Sequence, residues 1–199
     1  MIVQDQPAKR GRPRTITPER IVEAGIKMGL RHITFVGVAA GLGVSHMALY
    51  KHVENLAQLK QMVAEAVFDR WQLPTVSPEA YPSLESYLLV FMDSARALVK
   101  TYPGIAPYLL RRAVATPAMR AKIDAHQELV AQTFGIPKRA ARWMLSTVAF
   151  HCIAVADTLY CAIADEKEQA LQSEADVAEM EAEFELGMKM LIKGALVHF

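Results

Sequence analysis

Apolar residues at Phe35, Val38, Ala39 and Leu42 recur at helical spacing, and Gly41 and Gly43 then break the pattern. Gly43 stands where a tight turn takes a positive φ. Val44 is read as plugging inward, and Ser45 as a natural N-cap, because its hydroxyl can accept from the free amides of the next turn. From His46 to about Val53 the pattern predicts a second helix of two turns. It buries Leu49 and Val53 and leaves His46, Met47, Tyr50, Lys51 and His52 outside. So short a helix with so many exposed donors makes a poor core element. It suits a helix-turn-helix, whose second helix enters the DNA major groove.

The remaining pattern is helical as well. Thr17-Pro18-Glu19 is a helix start, with Thr at the N-cap and Pro in the first turn, and Gly29 ends that helix. Its inner face is Ile21, Val22, Ala24, Gly25, Ile26 and Met28. A helix from about Asn55 to Leu73 carries the stripe Leu56, Leu59, Met62, Val63, Ala66, Val67 and Trp71. Pro74, Pro78 and Pro82 mark a linker. Ser83 caps a helix ending before Pro103, and a short one follows around Gly104 to Val114. Thr116-Pro117 opens another that closes at Phe134-Gly135; Pro137 opens a long one to about Ala164. An acidic loop or frayed end over Asp165 to Glu174 precedes a last helix from about Asp176 to Leu196. No alternating stretch or hairpin turn interrupts this, so the expected class is all-α. Three helices over 15–60 form a DNA-binding head, with a basic arm over 1–14 before it and a helical body over 61–199 behind.

Charge sharpens that division. Residues 1–60 hold nine Lys and Arg against four acids, a net +5, whereas the remainder carries −4. A basic head on a mildly acidic body fits a nucleic-acid contact confined to one end. Within the arm, Arg10-Gly11-Arg12-Pro13, followed by Arg14, has the form of a minor-groove reader; it can equally act as a basic tail that adds only phosphate attraction. The arm has no apolar run of signal-peptide type. Cys152 and Cys161 lie nine residues apart on one expected helix and face opposite ways, so they cannot bridge within the chain, which points to a reducing, cytoplasmic setting. No Cys/His cluster has metal-ligand spacing, and no cofactor motif is present. Trp143 to Ala164 is long and apolar, but Asp157 would cost about 2.5–3.5 kcal/mol in a bilayer, so it reads as a soluble helix buried on nearly all sides.

The stretch VSHMALYKHVENLAQL resembles the helix-turn-helix of the TetR family of bacterial transcriptional regulators. The resemblance rests on Gly43-Val44, Leu49-Tyr50 and His52-Val53, with Asn55 and Leu59 in step, and covers roughly Ile16 to Leu73. It implies a homodimer that reads a palindromic DNA operator, paired through its last two long helices. It also implies a small-molecule effector pocket in the body. The candidate DNA-contacting set is Arg10, Arg12, Arg14, Thr34, Ser45, His46, Met47, Tyr50, Lys51 and His52. Lys51 is expected on a phosphate, His46 and Met47 on base edges. Tyr50 either meets the DNA backbone or props its helix against the following one. Leu56 stands where the family usually has Lys, and Phe35 and Val36 replace polar residues, so two phosphate contacts are missing from the usual pattern.

For the effector pocket the candidates are Trp71, Tyr87, Phe91, Tyr108, Trp143, Met144, Thr147, Phe150 and His151, each of which taken singly also suits ordinary core. Their chemistry, with ten Met in the chain, suggests a lipophilic or aromatic molecule. Catalysis finds no support. His151 and Asp157 are six apart and point to different sides of a helix, and no nucleophile elbow or glycine-rich phosphate loop occurs. The leading expectation is therefore a ligand-responsive repressor. The alternative is an architectural protein that coats A·T-rich DNA and takes no effector.

Overall fold

The computed structural model describes residues 16–111, 113–163 and 173–197. Nine helices and no strand occur among them: α1 (Pro18–Met28), α2 (Phe35–Leu42), α3 (His46–Leu49), α4 (Leu56–Arg70), α5 (Leu84–Thr101), α6 (Ala106–Leu110), α7 (Pro117–Phe134), α8 (Lys138–Ile163) and α9 (Glu174–Leu196). The basic arm, Arg112 and most of the acidic stretch after α8 lie outside the described residues.

Local chemistry sets the ends of the head helices. Thr17 caps α1 by accepting from the Arg20 amide at 3.3 Å, and Thr34 caps α2 by accepting from Gly37 at 3.0 Å. At the far end of α2, Gly43 takes the left-handed conformation at φ 70. Its amide and that of Val44 turn back to the Ala40 and Ala39 carbonyls, both at 3.0 Å, which is a Schellman closure. Ser45 then accepts from Ala48 at 3.2 Å and starts α3. The α-helix closes at Leu49, so α3 is one turn and not two. The next residues form hydrogen-bonded turns instead, with the His52 and Val53 amides both on the Leu49 carbonyl. Leu49 and Val53 are buried with Ile21, Val38 and Leu42 beneath them.

Asn55 caps α4, accepting from Gln58 at 2.9 Å. Four residues in the expected stripe shift outward: Leu56 is exposed, and Met62, Ala66 and Trp71 are only half-buried. Ala64 and Phe68 are buried in their place. The cause is that α4 has two partners. It packs on α1 of the head and also on α6 and α7 of the body, so its buried face is broader than one stripe. The helix stops at Arg70, where Trp71 turns to an extended backbone three residues before Pro74.

In the body, α8 is the central element, packed against α5, α6, α7 and α9. Met144, Val148, Cys152 and Ala156 of α8 meet a face of α5 built from Tyr87, Leu88, Met92, Ala95 and Val99. The Cys152 thiol lies 3.4 Å from the Met92 carbonyl, and burial pushes its pKa up to about 12, so it is an unreactive core group. By length and composition α8 could cross a membrane, yet it serves as a core helix. It is not buried on nearly all sides, because Trp143, Phe150 and Val155 leave it an exposed apolar side. Two further expectations shift: α6 spans only Ala106–Leu110, and α9 starts two residues early, at Glu174, under a capping box from Ser173 and Asp176.

Head and body also meet through the α1–α2 turn. The Arg31 guanidinium donates to the Cys161 carbonyl at 2.7 Å, and its stem lies against Gly104. Gly104 holds φ +88 and donates its amide to Asp157 at 3.0 Å. A single hydrophobic cluster runs from Ile21 in α1 to Ile192 in α9.

The closest approach of α1 to α4 depends on Gly25, where an added Cβ would sit 2.4 Å from Val63 Cγ2. Val63 is fully buried and β-branched, so it cannot swing aside. Gly25→Ala should lower stability by about 1–3 kcal/mol despite its better helix propensity. Adding Val63→Ala should recover part of that loss. Denaturant midpoints of the single and double variants check this, and a double variant weaker than the sum of its singles would contradict it.

Candidate nucleic-acid interface and body cavity

The outer surface of the head is built by the start of α2 and by α3. His46, Met47, Tyr50, Lys51 and His52 are all exposed, with Met47 at 63% and Tyr50 at 47%. Thr34 and Ser45 are exposed at the two N-caps, their hydroxyls engaged by backbone amides. The turns put Met47 and Lys51 four residues apart on the same outward side, while Leu49 and Val53 anchor the other.

Tyr50 has a partner the sequence reading did not name. Its ring stacks on Phe35 at the first turn of α2, with centroids 4.3 Å apart and planes 12° from parallel. Tyr50 therefore props α3 against α2. This also explains why an aromatic stands at position 35: it is a platform that fixes the angle between the two helices. Val36 beside it is 69% exposed and Leu56 is 40% exposed, which gives this surface an apolar rim.

In the body, α4, the 71–73 segment, α5, α6, α7 and α8 enclose a cavity of about 580 Å³. One wall is aromatic: Phe68, Trp71 and Phe91 follow one another at centroid distances of 5.7 and 6.2 Å. The indole N–H of Trp71 donates to Ser94 at 2.9 Å, which fixes the ring. Of the nine sequence candidates, Trp71, Phe91 and Phe150 line this space. Tyr87 and Met144 lie buried behind it in the core, Trp143 and His151 are exposed elsewhere on α8, and Tyr108 and Thr147 are outside the lining.

The wall that sequence reasoning missed comes from α7, with Met119, Ile123, His126 and Gln127. This helix is polar on most sides, so no apolar stripe marked it. The available signal was the recurrence of these four at spacings of three and four.

His126 is the one imidazole among the described residues that lines this space. It stacks on Phe91 at 5.9 Å, and its Nε2 lies 2.8 Å from the Tyr87 hydroxyl. That hydroxyl donates to the Pro74 carbonyl at 3.2 Å, so it accepts from Nε2–H, and Nδ1 is left as a bare acceptor. Burial pulls the histidine down to about 4 and pushes the tyrosine up. At the mouth, Asp124 is paired with Lys138 at 3.1 Å, and Arg120 and Arg142 are exposed. No group of metal-ligating residues occurs among the described residues.

No family model matches the chain. A curated relative, an HTH-type transcriptional regulator of Saccharopolyspora erythraea, is 24% identical over 212 residues, spanning 95% of this chain and 89% of that protein. The fold matches the Streptomyces coelicolor TetR family protein ActR in complex with actinorhodin, with a TM-score of 0.69, 18% identity, and 92% and 96% of the two chains covered. It also matches a TetR variant of Acinetobacter baumannii in complex with minocycline, with a TM-score of 0.68, 21% identity, and 90% and 96% covered. The chain has the fold of TetR-family proteins and is similar over 95% of its length to an HTH-type transcriptional regulator. That relative is a transcriptional regulator. The chain shares with those structures a fold in which α4 packs on both head and body.

Two outcomes follow from this geometry. A double-mutant cycle of Phe35→Ala and Tyr50→Ala, read by chemical denaturation, should show a coupling of about 0.5–1.5 kcal/mol from the stack. A value near zero would mean that the rings merely lie alongside each other. The second concerns acid. The folded-state pKa of His126 lies below its unfolded value of about 6.5, so the unfolded chain binds the proton first as pH falls. Stability should drop by about 1–2 kcal/mol between pH 7 and 5, after allowing for partial solvent screening at the cavity. His126→Phe should flatten that part of the profile, as thermal melts across the range would show.

Proposed function

We propose that this regulator is a homodimeric repressor that grips a palindromic operator through α3 and lets go when a small lipophilic or aromatic molecule enters the body cavity. The observation that carries the reading is the course of α4. Its first turn braces the end of the helix-turn-helix, and its last turn supplies Phe68 to the cavity wall. A ligand that moves the wall acts directly on the head. The relatives crystallised with minocycline and actinorhodin make an aromatic effector a natural expectation for a cavity walled by Phe68, Trp71 and Phe91. On this reading the functional division runs through α4, with the head over 15–60 and the effector-binding and dimerisation unit over 61–199.

The pairing face is proposed on α8 and α9. Leu186, Met190 and Val197 are 58%, 57% and 85% exposed, and Val155 on α8 is 47% exposed. Between them on α9, Gly187 and Gly194 have open space where a Cβ would stand, which lets a second backbone approach closely. Two heads held this way would present their α3 helices to major grooves about 34–36 Å apart. The protein would act in the cytoplasm, with the arginines of the arm entering the adjacent minor groove or adding phosphate attraction.

Binding to operator DNA over a salt series tests the interface. Lys51→Ala should weaken binding on all sequences and reduce the slope of log affinity against log salt by about 1. Met47→Ala should leave that slope alone and relax base preference at one position, since it removes an apolar contact and no charge. Equal loss on every sequence for Met47→Ala would put α3 in a different orientation on the DNA.

A further inference from the structure

Gln127 is the anomaly of the body. It is 6% exposed, lines the cavity, and its side-chain amide has no hydrogen-bond partner among the described residues. A buried amide left unpaired is expensive, so a protein that keeps one has a use for it. His126, the preceding residue of α7, lines the same space, and with its Nε2–H taken by Tyr87 its Nδ1 is left as a bare acceptor. Together they offer an acceptor, Nδ1, and an amide that both donates and accepts. Neither carries a charge, and most of the remaining wall is apolar, including Phe68, Phe91, Leu145 and Ile153, with the neutral Ser146 hydroxyl beside them.

We infer that Gln127 and His126 form a reading head for an uncharged, ring-bearing ligand that carries a hydroxyl group, as a phenol does. The hydroxyl donates to Nδ1 of His126 and accepts from the Gln127 amide, while the ring system stacks along Phe68, Trp71 and Phe91. A carboxylate is rejected at this depth. It has no proton to give Nδ1, and the inner wall holds no cation to offset its desolvation; Arg120 and Arg142 lie at the exposed mouth. The inference rests on the effector reading for its regulatory meaning, but the chemistry is tested by binding alone.

The probes are 1-hydroxypyrene, pyrene and pyrene-1-carboxylate, titrated by their own fluorescence into the full-length protein at pH 7. The hydroxyl compound should bind about 10-fold tighter than pyrene, from two hydrogen bonds to neutral partners, and the carboxylate should bind weakest. In Gln127→Leu most of that preference should vanish while pyrene binds at least as well as before. The same variant reports on the unpaired amide without any ligand: its melting temperature should rise by about 2–4 °C. Equal binding of pyrene and hydroxypyrene, a carboxylate that binds best, no binding of any probe, an unchanged preference in Gln127→Leu, or a fall in its melting temperature would each overturn the inference. Operator binding is read separately with the same probe. Protein saturated with 1-hydroxypyrene that still holds its operator counts against the effector reading and leaves the pocket chemistry standing.

Discussion

The structure hangs on the polar seam between α4 and the start of α7. Gln61 donates to the Val114 carbonyl at 3.2 Å, and the Thr116 hydroxyl donates to Glu65 at 2.7 Å. At the end of α4 the Lys122 ammonium donates to the carbonyls of Phe68, Asp69 and Trp71 at 3.0, 2.7 and 2.8 Å. A helix C-terminus leaves its last carbonyls unpaired and carries partial negative charge, so a lysine placed there satisfies both needs at once. Lys122 also lies 5.3 Å over the Phe68 ring, which adds a cation–π contact. Because the same lysine sits on α7, the cavity wall and the terminus of α4 cannot move independently. By contrast, the exposed Glu23–Arg70 pair between α1 and α4 adds little, since surface ion pairs are screened by water.

The head solves a different problem. A one-turn α3 cannot hold itself, because helix nucleation is unfavourable at that length. It is held instead from three directions: Ser45 at its start, Leu49 and Val53 in the core beneath it, and the Tyr50 ring on Phe35 at its side. None of these uses Met47 or Lys51, so the outward residues are free to vary without loosening the element that presents them. Phe35 and Val36 break the family's polar pattern at the start of α2. In the structure the first is a platform and only the second is an exposed apolar residue.

Much of this was legible in the chain. The caps at Thr17, Ser45, Ser83 and Thr116 and the turn glycines Gly43 and Gly135 are local signals, set by hydrogen-bond chemistry within four residues. Those positions read correctly for that reason. What failed were inferences that needed to know how many neighbours a helix packs against. The stripe on α4 was drawn for one partner, and the helix has two. Aromatic residues were gathered for a pocket by type, yet Tyr87 lies behind the wall and Trp143 lies on the outer side of α8, since ring chemistry alone does not tell a lining from a core. The α7 wall was missed because that helix is polar on most sides, and polarity in a helix ordinarily means solvent.

On the proposed effector reading, the seam and the cavity together would let a modest ligand effect matter. Effector coupling in such proteins needs only about 1–3 kcal/mol, far less than the cost of breaking a packed core. The fifteen residues of α4 make a rod about 22 Å long, so a tilt of about 5° at the cavity end moves the other end by about 2 Å. On the proposed effector reading the rod would pass the movement on, because its Lys122 anchor and its contact at Gly25 are both tight, one polar and one steric. A loose packing at either point would absorb 2 Å by side-chain rearrangement alone. Tightness at those two places, and space at the cavity between α4 and α7, is the combination a transmitting helix requires.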